Sequence, residues 1–202
     1  NPVYETFTFV NDSTKSGIKM KDWVSDIRED ADGNIWIVLP NQGLFRYDSD
    51  GLVHYPFGDP KLPDQGNPQC LCVDRSGRLW VGTNGKGVYL YNRENDKFTQ
   101  YLGDNSGETL FGENIYKMCD YGDELVIGIH EGKLRKLNKR KNILTDVNAP
   151  EVHYKIIRDV ACFDDELWVG TQSGVYVINE LKNKISQSIS NTKRIIESAI
   201  KL

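Results

Sequence analysis

At 202 residues the chain is long enough to bury a sizeable core, and 39% hydrophobic with 27% charged residues is the composition of a globular domain. A formal charge of −4 argues against a nucleic-acid partner, whose phosphates call for clustered Lys and Arg. No apolar run approaches the ~20 residues that cross a bilayer as a helix, so no membrane segment is expected.

In chain order, residues 1–10 hold Glu5-Thr-Phe-Thr-Phe9, which reads as an outer strand. The opening at Asn1-Pro2, without methionine, reads as part of a longer protein. Residues 22–55 then run through an apolar pair, Val24 and Ile27, a turn Asp30-Ala-Asp-Gly-Asn34, and the apolar run Ile35-Trp-Ile-Val38. A second glycine opens Gly43-Leu-Phe-Arg-Tyr47, and the more polar Leu52-Val-His-Tyr55 closes the unit. Residues 67–101 repeat the order with Asp74-Arg-Ser-Gly77, Leu79-Trp-Val81, Gly87-Val-Tyr-Leu-Tyr91 and Lys97-Phe-Thr-Gln-Tyr101. Residues 113–147 repeat it with Ile115 and Met118, a turn one residue shorter, Leu125-Val-Ile127, and strands over Gly132–Leu137 and Asn142–Thr145. Residues 155–188 follow with Ile157 and Val160, Leu167-Trp-Val169, Gly174-Val-Tyr-Val-Ile178 and Lys184–Gln187. Residues 189–202 fit the first strand of a further unit by register, while their apolar positions also fit one face of a helix.

The anchors Trp36, Trp80, Val126 and Trp168 are 44, 46 and 42 residues apart. A strand-only repeat of that length is the mark of a β-propeller, with one four-stranded blade per unit. The chain is therefore expected to be all-β, four complete blades forming an arc of a larger propeller. Closure by Phe7–Phe9 pairing into the last blade is the alternative. Trp36, Trp80 and Trp168 are expected to be buried between blades, because near-continuous apolar strands suit burial on both faces. Blade ends without a neighbour would expose apolar surface, so dimerisation through them is expected. Cys70, Cys72, Cys119 and Cys162 all fall on opening strands and read as buried thiols. Cys72 and Cys119 sit at equivalent places, where a bridge between blades is conceivable.

The unit apolar-x-x-Ile, then Glu-Asp-x-x-Gly-x-Ile/Leu-Trp-Ile/Val-Gly-Thr, then x-x-Gly-Leu/Val-Tyr/Phe-x-Tyr resembles the two-component regulator propeller repeat. Ile27–Ile37, Val73–Thr83 and Trp168–Tyr176 carry it best, and the third copy departs with Val126 for Trp and Ile129 for Thr. The resemblance implies the periplasmic sensor region of a hybrid two-component system of the gut Bacteroidetes type, with the arc part of a seven-bladed propeller. Its parent would be a histidine kinase anchored in the inner membrane, and the ligand an oligosaccharide. No enzyme activity is expected of this fragment. A carbohydrate-active enzyme or lectin propeller, or a protein-interaction scaffold, remains the other reading.

No catalytic, cofactor or metal site is expected. Asp30-Ala-Asp-Gly-Asn34 opens like a calcium loop, but Asn41 stands where the bidentate Glu belongs. His54, His130 and His153 lack metal-ligand spacing. His54 is expected to be solvated on an outer strand, and Asn138-Lys-Arg-Lys141 to be a solvated loop. In a propeller the b–c and d–a connections share one face, and rigid strands there hold variable loops. The candidate ligand-binding residues are therefore Gln42, Asn84, Lys86, His130 and Gln172 on the b–c connections, with Trp23 at the mouth of the first blade. Their amide, ammonium and imidazole groups suit hydroxyls or carboxylates.

Overall fold

The computed structural model describes residues 20, 22–57, 66–103, 109–130, 132–163, 166–179 and 184–186. The strand expected within 1–10 and the segment 189–202 lie outside these residues. Four up-and-down units follow one another. The first comprises β1 (Asp26–Glu29), β2 (Ile35–Leu39), β3 (Gly43–Asp48) and β4 (Gly51–Tyr55); the second β5 (Asn67–Val73), β6 (Leu79–Lys86), β7 (Val88–Asn92) and β8 (Lys97–Tyr101). The third comprises β9 (Phe111–Tyr121), β10 (Glu124–Ile129), β11 (Leu134–Asn138) and β12 (Leu144–Asp146), and a 3-10 turn over Pro150–Val152 leads to the fourth. That unit comprises β13 (Ile157–Phe163), β14 (Glu166–Thr171), β15 (Gly174–Asn179) and β16 (Lys184–Ser186).

The units are not four separate sheets. The first and last are four-stranded, but the second and third merge into one sheet of eight strands. The merger has a local cause. β6 runs on past its partner β7, and β9 is 11 residues long, so their overhanging ends pair at Asn84↔Asn114 and Lys86↔Phe111. The expectation of clean blades is corrected there.

The Asp-x-x-Gly turn does more than reverse the chain. Asp30 accepts the backbone N–H of Asp32 at 2.9 Å and of Asn34 at 3.0 Å, and its other oxygen accepts the indole N–H of Trp36 at 2.8 Å. Asp74 repeats this with Ser76, Arg78 and Trp80, each at 3.0 Å. Gly33 and Gly77 hold φ of +82° and +73°, the left-handed turn position that glycine takes without strain. The six-residue Asp-to-Trp spacing thus ties each turn to the core beside it. Burial alone would raise these carboxyls. The indole donors, then Asn34 or Arg78 and the turn amides, outweigh it and hold both below their ordinary value.

Strand register decides which core each tryptophan enters. Trp36 pairs with Arg28, Trp80 with Cys72 and Trp168 with Ala161, so all three face the following unit. Trp36 packs with Leu71, Leu79 and Val81 of the second unit, and Trp80 with Ile115, Leu125 and Ile127 of the third. Both are 0% exposed. Trp168, in the same register, is only half-buried, and among the described residues no unit follows to cover it. Its indole nitrogen also has no hydrogen-bond partner among the described residues. The shorter turn puts Phe163 at the end of the hairpin, opposite Glu166, and Phe163 meets the indole edge-on at 6.4 Å. Burial of all three tryptophans is therefore corrected for Trp168. At the other end, Val24 and Ile27 are exposed although their counterparts are buried, Ile115 and Ile157 for the first and Leu71, Met118 and Val160 for the second.

Register also settles the cysteines. Cys72 and Cys119 pair with Trp80 and Val126, so both point toward the following unit and cannot face each other. Cys162 pairs one place along, with Leu167, and so points back. Cys119 and Cys162 form the disulfide, with Cα atoms 6.3 Å apart and a 43-residue sequence separation. The expectation of buried thiols holds for Cys70 and Cys72 and is corrected for this pair. The bridge joins the two units whose core lacks a tryptophan, Val126 standing in its place.

Two expectations of solvation are corrected as well. His54 stacks on Phe45 at 4.4 Å, and its Nε2 lies 2.6 Å from the Gln42 carbonyl. Lys139 is buried at 6% exposure, bound to Asp120 at 2.5 Å and 3.7 Å from Asp74. In burial its charge is compensated by these two carboxylates, Asp120 from its own unit and Asp74 from the preceding one.

Candidate functional site

The b–c connections and the starts of the inner strands β5, β9 and β13 lie together on one face of the molecule. Three inner strands carry the same irregularity there. Pairing skips Gln69 between Pro68↔Thr83 and Cys70↔Gly82, Tyr116 between Ile115↔Ile129 and Lys117↔Gly128, and Arg158 between Ile157↔Thr171 and Asp159↔Gly170. Each is a β-bulge, one extra residue that leaves the ladder and re-aims its side chain. Glycine stands opposite every bulge. A Cβ at Gly82 would come within 2.7 Å of Cys70 Sγ and of Ile115 Cγ2, so the close approach of the bulged strand needs its absence. In the first unit Ser25 takes the corresponding place, and its hydroxyl donates to the Gln69 carbonyl at 2.8 Å.

The inner strands also exchange charges. Asp26 is 6% exposed and bonds Arg28 at 2.9 Å, Lys117 of the third unit at 3.3 Å and the Leu71 N–H of the second at 3.1 Å. One carboxylate thereby binds three consecutive units along their inner edge. Removing it would strand a mostly buried Lys117 ammonium.

The sequence candidates fall into two groups. Asn84 and His130 come together through Asn114: Asn84 pairs with Asn114 in the ladder, and the His130 N–H donates to the Asn114 carbonyl at 3.1 Å. Lys86 pairs with Phe111, its Nζ 4.9 Å from the centroid of that exposed ring. The His130 ring lies 5.1 Å from that of Tyr116. Gln172, exposed, repeats the His130 bond by donating its N–H to the Ile156 carbonyl at 3.1 Å. Trp23 and Gln42 belong to the first unit. Trp23 is 59% exposed, and the Gln42 carbonyl is taken by His54. The residues that sequence reasoning missed are Gln69, Tyr116, Arg158 and Phe111. Their signal was the Gly-Thr after the tryptophan strand (Gly82-Thr83, Gly170-Thr171), which marks a bulge opposite. Among the described residues no group of three or more His, Cys, Asp or Glu is placed to hold a metal ion.

The face offers hydrogen-bond donors and acceptors, exposed aromatic rings and cations. Cys70 and Cys72 are raised by burial first of all, Cys72 to about 12, so both stay as inert thiols.

Residues 61–85 match the family model described as Two component regulator propeller. No curated protein matches the chain. Solved structures do. The extracellular domain of the hybrid two component system BT4673 from B. thetaiotaomicron superposes with a TM-score of 0.69 at 18% identity, over 88% of this chain and 26% of that one. Virginiamycin B lyase from Staphylococcus aureus superposes with a TM-score of 0.63 at 15% identity, over 84% and 56%. PorZ of the type-IX secretion system of Porphyromonas gingivalis gives 0.60 at 19%, over 92% and 29%. The chain thus spans about a quarter of the length of the BT4673 domain. At these identities the likeness is one of fold, shared by an extracellular domain of a two component system, an enzyme and a secretion component. The match of its second unit adds a sequence signature to that fold: the chain carries a two component regulator propeller repeat on an all-β, propeller-like fold.

Proposed function

We propose that this chain is part of the extracytoplasmic sensing region of a hybrid two-component system, detecting an oligosaccharide and signalling to a histidine kinase. The observation that carries the reading is the two component regulator propeller repeat at residues 61–85, recurring in register along the rest of the chain. The BT4673 extracellular domain gives the fold a precedent in a sensor. The Cys119–Cys162 disulfide supports an oxidising, periplasmic setting. The loop face supports ligand binding rather than catalysis, because its amides, rings and cations recognise hydroxyls and carboxylates but supply no reacting group. Signalling follows if ligand binds two arrangements of the sensor unequally, since a ligand shifts only states it distinguishes. In such a sensor those arrangements are those of a dimer.

The test is a kinase assay on the full-length protein in membranes, with and without oligosaccharides, alongside the double variant Lys86→Ala/His130→Ala. Ligand-dependent phosphorylation that weakens in the variant is the expected result. Release of reducing sugar by the purified chain, or a parent sequence without kinase motifs, would overturn the reading.

A further inference from the structure

The three bulges carry more than strand irregularity. The residues flanking each are committed elsewhere: Pro68, Cys70, Ile115 and Ile157 are buried in the cores between units, and Lys117 is bound to Asp26. Gln69, Tyr116 and Arg158 are therefore surplus to packing, yet the bulge recurs at one register in three consecutive units. Adjacent inner strands bring the three to one level of the inner edge, beside the loop face. Retaining an extra residue three times, each opposite a glycine, is a cost that packing does not repay.

The charge on this face is uneven. Arg158 is exposed and has no carboxylate partner among the described residues. Lys86 and Lys155 are likewise without a carboxylate there and rest over the rings of Phe111, at 4.9 Å, and Tyr176, at 5.7 Å. Of the nearby acids, Glu113 is paired with Lys133 at 3.2 Å and Asp26 with Lys117 and Arg28, while Asp159, next to Arg158 in the strand, has among the described residues only the Val160 N–H on its Oδ1 at 3.0 Å. A chain of net charge −4 thus presents unpaired cations where its bulges gather. Tyr116 is set against His130, so a hydroxyl and an imidazole stand beside the guanidinium level.

We infer that Gln69, Tyr116 and Arg158, with Lys86 at the margin, form a binding site for an anionic, hydroxyl-bearing ligand: an acidic saccharide carrying carboxylate or sulfate. Arg158 takes the anion through its planar fork, which matches such groups two-on-two. Gln69 and Tyr116 read hydroxyls, each able both to donate and to accept. Lys86 adds a second, longer-range attraction. The inference rests on the sensing reading for the ligand being a saccharide, and it adds the acidic class and the inner-edge location.

The test uses the full chain against an array of defined oligosaccharides, neutral and acidic, with calorimetry on those retained. Arg158→Ala, Arg158→Lys and Gln69→Ala are measured beside the unchanged chain, and thermal unfolding checks that each folds. Arg158 is exposed and Gln69 is half-buried at a bulge, outside the cores, so all three are expected to fold. Acidic oligosaccharides should bind and neutral ones should not. Arg158→Ala should weaken binding about tenfold or more, the worth of a charged hydrogen bond, and Arg158→Lys should restore part of it. Acidic ligands held equally well by Arg158→Ala, or a preference for neutral ones, would overturn the site and leave the sensing reading standing. An array on which nothing binds would overturn both.

Discussion

Trp80 and Trp168 share a register and differ in their neighbours, which makes the pair a direct measure of what the stacked units contribute. Trp80 is 0% exposed, T-stacked on Tyr101 at 5.0 Å, and bonded through its indole to Asp74. Trp80→Ala removes that side chain into a cavity lined by the third unit, a loss of about 3–5 kcal/mol. It also takes one donor from Asp74, whose side chain is 0% exposed, at about 1–2 kcal/mol. Arg78 still holds the carboxylate at 2.7 Å, so the two losses overlap and the total is expected near 5 kcal/mol rather than their upper sum. Trp168→Ala loses a half-buried ring with no hydrogen bond, for which about 1–2 kcal/mol is expected. Urea unfolding followed by circular dichroism gives both values, with oxidised protein throughout so that the disulfide is constant. Equal losses at the two sites would refute the argument, because they would mean that register alone, and not a covering unit, sets the burial.

The disulfide should contribute by constraining the unfolded chain: for its 43-residue separation the entropy model gives about 4 kcal/mol. Reductant should therefore lower the melting temperature of the unchanged chain, while Cys119→Ser/Cys162→Ser should be insensitive to it. Gly82→Ala should cost about 1–3 kcal/mol, its new methyl meeting Cys70 Sγ and Ile115 Cγ2 at 2.7 Å. Gly170→Ala, whose nearest neighbour is 3.7 Å away, should be nearly neutral in the same melting assay. Asp30 and Asp74 have carboxyls held below their ordinary value when folded, so their stabilisation is complete above the ordinary carboxylate pKa near ~4 and is lost as pH falls through the folded value. Urea midpoints should drop below about pH 4, and Asp74→Asn should flatten that drop; an unchanged slope would show that the turn carboxylates are not its source.

The sequence alone determined the repeat. Asp, Gly and Trp fall at fixed offsets because each solves a local problem: capping a turn, allowing positive φ and filling a slot between sheets. A local solution leaves a local pattern, so strand order within each unit and the fate of Trp36 and Trp80 were legible in the residues. Relations between units were not. Whether Trp168 is covered, which cysteine faces Cys119, and that Lys139 lies buried between Asp74 and Asp120 depend on which way a strand residue points. A one-residue shift along the strand reverses that direction, as Cys162 shows beside Cys119. The overhang that fuses the second and third units, and the bulges that set out Gln69, Tyr116 and Arg158, likewise come from strands meeting across the fold. A single unit read by itself has no partner strand against which an extra residue could be seen.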